Sequence, residues 1–192
     1  MPPKFSFVAT TAAGTEEVLK AELDGFGAQG SAQRRGAVAF SGGLDVGYRA
    51  CLWSRVASRI LHPIATVRVS SEDNLYAEIK ALPWKEHLGP EKSIAVDVVL
   101  SQSEFTNSRF VTFRVKDAIV DCIRDECGER PSVDTDKPDV RVHIYIRKDE
   151  ATVSIDLAGS AMHRRGINRT GGPAPLKENL AAALLLMADW PR

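Results

Sequence analysis

Ile94 to Leu100 is an almost unbroken apolar run of strand-forming residues. Such a strand suits a sheet covered on both faces, which requires helices close by in the chain. Those helices are legible. A polar loop, Ser101 to Asn107, leads into the longest helical pattern, about Ser108 to Cys127, where Val111, Val115, Ala118, Ile119 and Cys122 recur at helical spacing before Gly128 stops it. Pro131 to Pro138 reads as a loop, and two strands, Val140 to Arg147 and Ala151 to Leu157, meet across Lys148-Asp149-Glu150. Ahead of the apolar run lie a strand-like stretch from His62 through Val69 and a helix from about Asp73 to Leu82, interrupted by Pro83.

The first 60 residues carry a smaller pattern of the same kind. Phe5 to Thr10 alternates as a strand, and Gly14-Thr15-Glu16-Glu17 opens a helix with a polar cap and two carboxylates at the positive end of its dipole. Val18, Leu19, Leu23 and Phe26 give it an apolar stripe, and Gly25 and Gly27 end it. Two short strands, Ala28 to Arg34 and Ala37 to Phe40, turn at Arg35-Gly36, and a second helix is expected from about Leu44 to Ile60 with Tyr48, Leu52, Val56 and Ile60 on one side. Helix and strand alternate throughout, with local hairpins, so the class is α/β or α+β.

At 192 residues and 44% hydrophobic content the chain can bury a real core. Twenty-five basic residues balance twenty-five acidic ones, so a polyanionic partner must be met by local clusters. Cys51, Cys122 and Cys127 form no CxxC pair and the four histidines lie far apart, which disfavours structural zinc; the cysteines read as reduced packing residues. There is no apolar leader and no run of the roughly 18 apolar residues that a membrane span needs, so a cytoplasmic location is expected.

The stretch from Gly159 to Lys177 differs in kind. It holds Arg164, Arg165, Arg169 and Lys177, no acidic residue, and five Gly and Pro residues from Gly166 to Pro175. Either a phosphate-binding strap or a solvated hinge accounts for such a basic linker. Beyond it, Leu176 to Ala188 has high helix propensity and almost no polar face, so it needs a cover. The long helix carries Arg109, Lys116 and Arg124 opposite its apolar stripe with Phe113 and Val120 between them, which suits either an RNA-facing surface or an ordinary solvated one. Lys137, Arg141, Arg147 and Lys148 add charge near the last hairpin, diluted by Asp134, Asp136, Asp139, Asp149 and Glu150. Arg49, Arg55 and Arg59 mark the exposed side of the second helix and read as bridges to carboxylates of a neighbouring unit, and Trp53 and Trp84 read as core or inter-domain residues. No GxSxG elbow, HExxH pair, P-loop or G-x-G-x-x-G turn is present, so no catalytic residue and no nucleotide or S-adenosylmethionine site is assigned.

In order along the chain, FVATTAAGTEEVLKAEL, LWSRVASRIL, NLYAEIKALPW, VKDAIVD, PDVRVHIYIRKDEATVSIDLAG, MHRRG and APLKENLAAALLL together resemble the N-terminal part of bacterial 23S rRNA guanine-N2 methyltransferases. The resemblance implies a small ferredoxin-like domain over 1–60 and an α/β THUMP RNA-binding domain over 46–157, the boundary overlapping. It further implies a basic linker over 158–175 and, over 176–192, the first helix of a methyltransferase domain that is missing from this sequence. The parent would use S-adenosylmethionine to methylate a guanine exocyclic amine of large-subunit rRNA, and this fragment would bind RNA without cofactor or catalysis. Phosphate contacts are then expected from Arg164, Arg165 and Arg169, and from Arg109, Lys116, Arg141, Arg147 and Lys148. A stand-alone RNA-binding or RNA-chaperone module is the alternative, and the exposed apolar C-terminal helix counts against it.

Overall fold

The computed structural model describes residues 4–163 and 176–190. In chain order the elements are β1 (Phe5–Thr10), α1 (Glu16–Gly25), β2 (Gln29–Arg34), β3 (Ala37–Gly42), α2 (Leu44–Trp53), β4 (Arg59–Arg68), α3 (Glu72–Lys80), a 3-10 turn at Trp84–Glu86, β5 (Ser93–Ser101), α4 (Ser108–Cys127), β6 (Ser132–Val133), β7 (Val140–Arg147), β8 (Glu150–Asp156) and α5 (Glu178–Met187). They form two compact units, one of residues 1–62 with 160–192, the other of 63–159.

In the first unit the strand order is β2-β3-β1-β4, every neighbour antiparallel. Phe7 pairs with Phe40 across β1 and β3, their rings 5.2 Å apart, and with Ala9, Leu19, Leu23, Val38, Ala50 and Ile60 they make the core. The β2–β3 turn is closed by Gly36 at φ +73°, a conformation that strains any residue with a Cβ. Thr15 does not cap α1 through its hydroxyl as expected. Instead the Glu16 carboxylate accepts the N–H groups of Gly14 and Gly36, both at 2.7 Å, which ties the helix start to the turn.

The second helix is shorter than its periodicity implies. It stops at Trp53, so Val56 and Ile60 belong to the connection and to β4, and the buried face of α2 is Val46, Gly47 and Ala50 rather than the Tyr48 and Leu52 side. A Cβ on Gly42 would lie 2.9 Å from the Val46 side chain; the glycine lets α2 sit this close to β3. α5 packs on α1 with Ala183 buried, and Asn179 donates to Ser58 Oγ at 2.7 Å and to the Val56 carbonyl at 3.3 Å. Only one side of α5 is covered in this way; Leu184, Leu185, Met187 and Trp190 stay exposed.

In the second unit the strand order is β8-β7-β5-β6, with β7–β8 an antiparallel hairpin and β5 parallel to both β7 and β6. The two-residue β6 lies inside the stretch read as loop. A parallel β5–β7 pair needs a crossover connection, and α4 supplies it. Ile94, Val142, Ile144, Ile146, Ala151 and Val153 turn one sheet face toward the helices, against Leu75 and Ile79 of α3 and Val111, Val115, Ala118, Ile119, Cys122 and Ile123 of α4. Trp84 closes this core, its indole N–H donating to the Ile79 carbonyl at 2.7 Å. The opposite side of β5 and β7 carries Val99, 45% exposed, and Tyr145, so the sheet is not covered on both faces as the apolar run suggested.

Candidate nucleic-acid interface

α4 is capped by Asn107, whose side chain accepts the Phe110 N–H at 3.1 Å, and ends on Gly128 in the left-handed conformation. Its buried residues lie on one side, which turns Arg109, Phe113 and Lys116 outward. The first turns of α1, α2, α3 and α5 each hold an acidic residue, whereas that of α4 holds none and carries Arg109. A cation there opposes the helix dipole and adds to the positive potential at this end.

β5 and β7 run parallel, so Ser101 and Arg147 are partners at their C-terminal ends, and the Lys148 N–H donates to the Ser101 carbonyl at 3.2 Å. The loop 102–107 leads from that edge into α4. Arg147, Lys148 and Arg109 are thereby brought to one edge of the second unit, and among the described residues none of the three has an ion-pair partner. Lys116 continues the stripe along α4, with Asp117 2.6 Å away. An open groove of about 870 Å³ lies at the same edge, lined by Glu72, Asp73, Glu104 and Asp149 as well as Lys148. Four carboxylates against one ammonium group disfavour a polyanion inside it, which leaves the rim and the α4 face as the positive surface.

Arg141 departs from the expectation of a phosphate contact. Its side chain is 12% exposed, and it donates to the Gly159 carbonyl at 2.6 Å, to Asp97 at 3.2 Å and to the Thr135 carbonyl at 3.0 Å. With its donors committed, it positions the strand ends and the 135 loop instead. Arg124 is likewise held by Asp121 at 2.8 Å and Asp125 at 3.0 Å. Arg164, Arg165 and Arg169 lie outside the described residues.

The acids that diluted the basic cluster have local work. Asp134 accepts the N–H groups of Lys137 and Asp136, which hold its carboxyl below the usual range, and Asp139 is lowered by the Ser93 N–H and hydroxyl. Arg49 and Arg55 do pair with carboxylates, Asp45 at 3.2 Å and Glu22 at 2.9 Å, but both acids belong to the first unit itself rather than to a neighbouring one. Trp84 is core as expected, but Trp53, the last residue of α2, is 68% exposed. With Leu52 and Met187 it lines a groove of about 1050 Å³ in the first unit. Phe110, half-exposed one turn before Phe113, was missed; the spacing in SRFVTFR, two aromatics off the buried stripe and beside arginines, carried the signal. Among the described residues no three His, Cys, Asp or Glu side chains are grouped to hold a metal, and no helix is long and apolar enough to cross a membrane.

Comparison with known proteins follows the two units. Residues 6–61 match the RlmL ferredoxin-like domain and residues 69–156 the THUMP domain. Among curated relatives, the "Ribosomal RNA large subunit methyltransferase K/L" of Syntrophotalea carbinolica is 47% identical over 191 residues, covering 100% of this chain and 27% of the relative. That of Methylococcus capsulatus is 43% identical over 191 residues and 26% of its length. The chain thus spans about a quarter of these relatives. Among solved structures, a "predicted N6-adenine-specific DNA methylase" from Listeria monocytogenes str. 4b F2365 aligns with TM-score 0.83 and 31% identity over 98% of this chain and 49% of that one. TrmN from Thermus thermophilus aligns with TM-score 0.71 and 27% identity over 97% of this chain and 55% of that one.

Proposed function

Because the chain belongs to the proteins that join an RlmL ferredoxin-like domain to a THUMP domain, as the large-subunit rRNA methyltransferases K/L do, we propose that it is the RNA-binding N-terminal portion of such an enzyme. The observation that carries this reading is the match to those relatives along the whole chain, across both units and through α5. The whole protein would transfer a methyl group from S-adenosylmethionine to the exocyclic amine of a guanine in large-subunit rRNA, in the bacterial cytoplasm. This portion would hold structured RNA by shape and phosphate contacts while the base is presented elsewhere. The exposed side of α5, with Leu184, Leu185 and Met187, and Trp190 just after it would be covered by the methyltransferase domain.

The described residues do not fit the cofactor themselves. Among their strand-to-helix connections only β3–α2 has consecutive glycines, Gly42 and Gly43, and Gly42 answers to the approach of Val46. No step of methyl transfer is therefore derived from this chain. Its own residues supply charge and surface: Arg109, Lys116, Arg147 and Lys148 on the second unit, with Arg164, Arg165 and Arg169 on the basic linker.

Titrating the chain with a domain of large-subunit rRNA at several salt concentrations tests the reading. Log K should fall linearly with log salt by about 0.7 to 0.9 per phosphate contacted, and replacing Arg164 and Arg165 by Ala should flatten the slope by roughly one to two units. Salt-independent binding, or none, would overturn it.

A further inference from the structure

α4 carries two cation–aromatic arrangements, and they differ in a way that points to a ligand. On one side Arg114 lies 4.5 Å from the Tyr76 ring centroid and pairs with Asp73, while the Tyr76 hydroxyl donates to Asp121 at 2.7 Å and Lys80 pairs with Asp125 at 2.7 Å. Every charge there has a counter-charge, and the cluster joins α3 to α4. On the outward side the residue Phe113 is 49% exposed, with the Arg109 guanidinium 5.7 Å and the Lys116 ammonium 5.9 Å from its ring centroid. Arg109 has no acidic partner among the described residues, and Lys116 meets only its chain neighbour Asp117.

Phe113 contributes nothing to the core, because the buried stripe of α4 is complete without it. An exposed aromatic costs solubility and is unnecessary for helix formation, where aromatics are only moderate formers. Both cations sit near the outer limit of cation–π distance, about 6 Å, so their long arms can turn away and leave a ring face free. Beyond Lys116, Asp117 lies beside the outward face, Asp121 and Asp125 turn toward α3, and Arg124 is held by those two. The α4 cations not tied to Asp73, Asp121 or Asp125 are therefore Arg109 and Lys116, and Phe113 lies between them.

A flat π-face bracketed by two cations, on a surface open to solvent, matches a base with its flanking phosphates. We infer that Phe113, flanked by Arg109 and Lys116, is a stacking position for one unpaired nucleobase of the RNA that this unit binds. This rests on the RNA-binding reading above. It adds that the unit distinguishes a bulged or looped base from a continuous duplex, whose bases are already stacked on one another and present no free face.

Two hairpins of the same stem test this, one with a single bulged 2-aminopurine and one fully paired, titrated with the whole chain and with its Phe113→Leu and Arg109→Ala variants. Leucine keeps the apolar bulk and removes the π-face, and at an exposed site it should leave the unfolding midpoint unchanged. For the wild-type chain, binding should quench the 2-aminopurine. For Phe113→Leu the quenching should disappear and affinity for the bulged hairpin fall by about 5- to 140-fold, one base stack converted at 1.4 kcal/mol per tenfold, with the paired hairpin and the salt slope unaffected. Arg109→Ala should weaken both hairpins and flatten the slope. If Phe113→Leu binds and quenches like wild type, or weakens both hairpins equally, the stacking position is overturned while RNA binding stands. If the wild-type chain binds neither hairpin nor rRNA, the underlying reading fails with it.

Discussion

Glu22 of α1 holds the connection after α2 through Arg55: one carboxylate oxygen takes the Arg55 Nε–H at 2.9 Å, and the other takes the Arg55 backbone N–H at 3.1 Å and the Ser54 hydroxyl at 2.9 Å. The Glu22 side chain is 7% exposed, so its charge is compensated almost entirely by these donors. Glu22→Ala should destabilise the first unit by about 2–3 kcal/mol, since several N–H and O–H groups lose a charged acceptor at once. Urea unfolding followed by circular dichroism would read this; a loss near zero would mean that water replaces the carboxylate without penalty.

Arg141 and Arg109 should separate stability from binding. Arg141→Ala removes the guanidinium donors to Asp97 and to the Gly159 and Thr135 carbonyls, and a loss of about 2–3 kcal/mol is expected with the salt slope of RNA binding unchanged. Arg109→Ala should do the reverse, with an unfolding midpoint equal to or slightly above wild type because a cation leaves the first turn of α4. Thermal denaturation paired with an RNA titration of each variant decides it; equal slopes for Arg109→Ala and wild type would remove Arg109 from the interface.

Lys148 sits at φ +55° in the two-residue turn between β7 and β8, a left-handed conformation that costs a side-chain-bearing residue energy. Lys148→Gly should stabilise the hairpin by about 0.5–1 kcal/mol and still lose one phosphate contact. Lys148→Val, β-branched at the same φ, should cost about 1–2 kcal/mol. Native-state hydrogen exchange of β7 and β8 amides reports both, and a glycine variant less stable than wild type would contradict the strain argument.

Acid should weaken the fold through carboxylates held below their ordinary range. Glu16 is lowered mainly by the Gly36 N–H, Asp24 by the Lys20 ammonium, and Asp139 by the Ser93 N–H. A lowered folded-state value means that the stabilising contribution is complete above the ordinary values of 4.5 for Glu and 3.8 for Asp, and is lost as pH falls through the folded values. The urea midpoint at pH about 3 should lie below that at pH about 6, and Glu16→Gln should narrow the difference. Identical midpoints would mean that these contacts persist in the unfolded chain.

Period was more legible than ending. Helical spacing located the buried face of α4 except for Ile123, and the turn at Arg35-Gly36 and both strands of the last hairpin followed from local chemistry. The second helix misled because Val56 and Ile60 continue a four-residue apolar spacing past Trp53, although the Glu22 contacts hold Ser54 to Val56 in another conformation. That is a tertiary contact, invisible in a window of neighbouring residues. The candidate site was legible only as a set of charges. Which arginines are spent internally, as Arg141 and Arg124 are, depends on Asp97, Asp121 and the carbonyls that folding brings to them.

The first unit is discontinuous in the chain: the whole of the second unit is threaded between Ser58 and its hydrogen-bond partner Asn179. During synthesis the strands of the first unit therefore emerge long before the helix that seals them, and the inserted unit can complete its own core while that seal is pending. Closing so long a loop costs little more than closing a short one, provided that the insert folds and keeps its ends close. A destabilised inserted unit should then delay a hydrogen bond within its neighbour, which makes α5 docking a late reporter of whether the middle of the chain has folded.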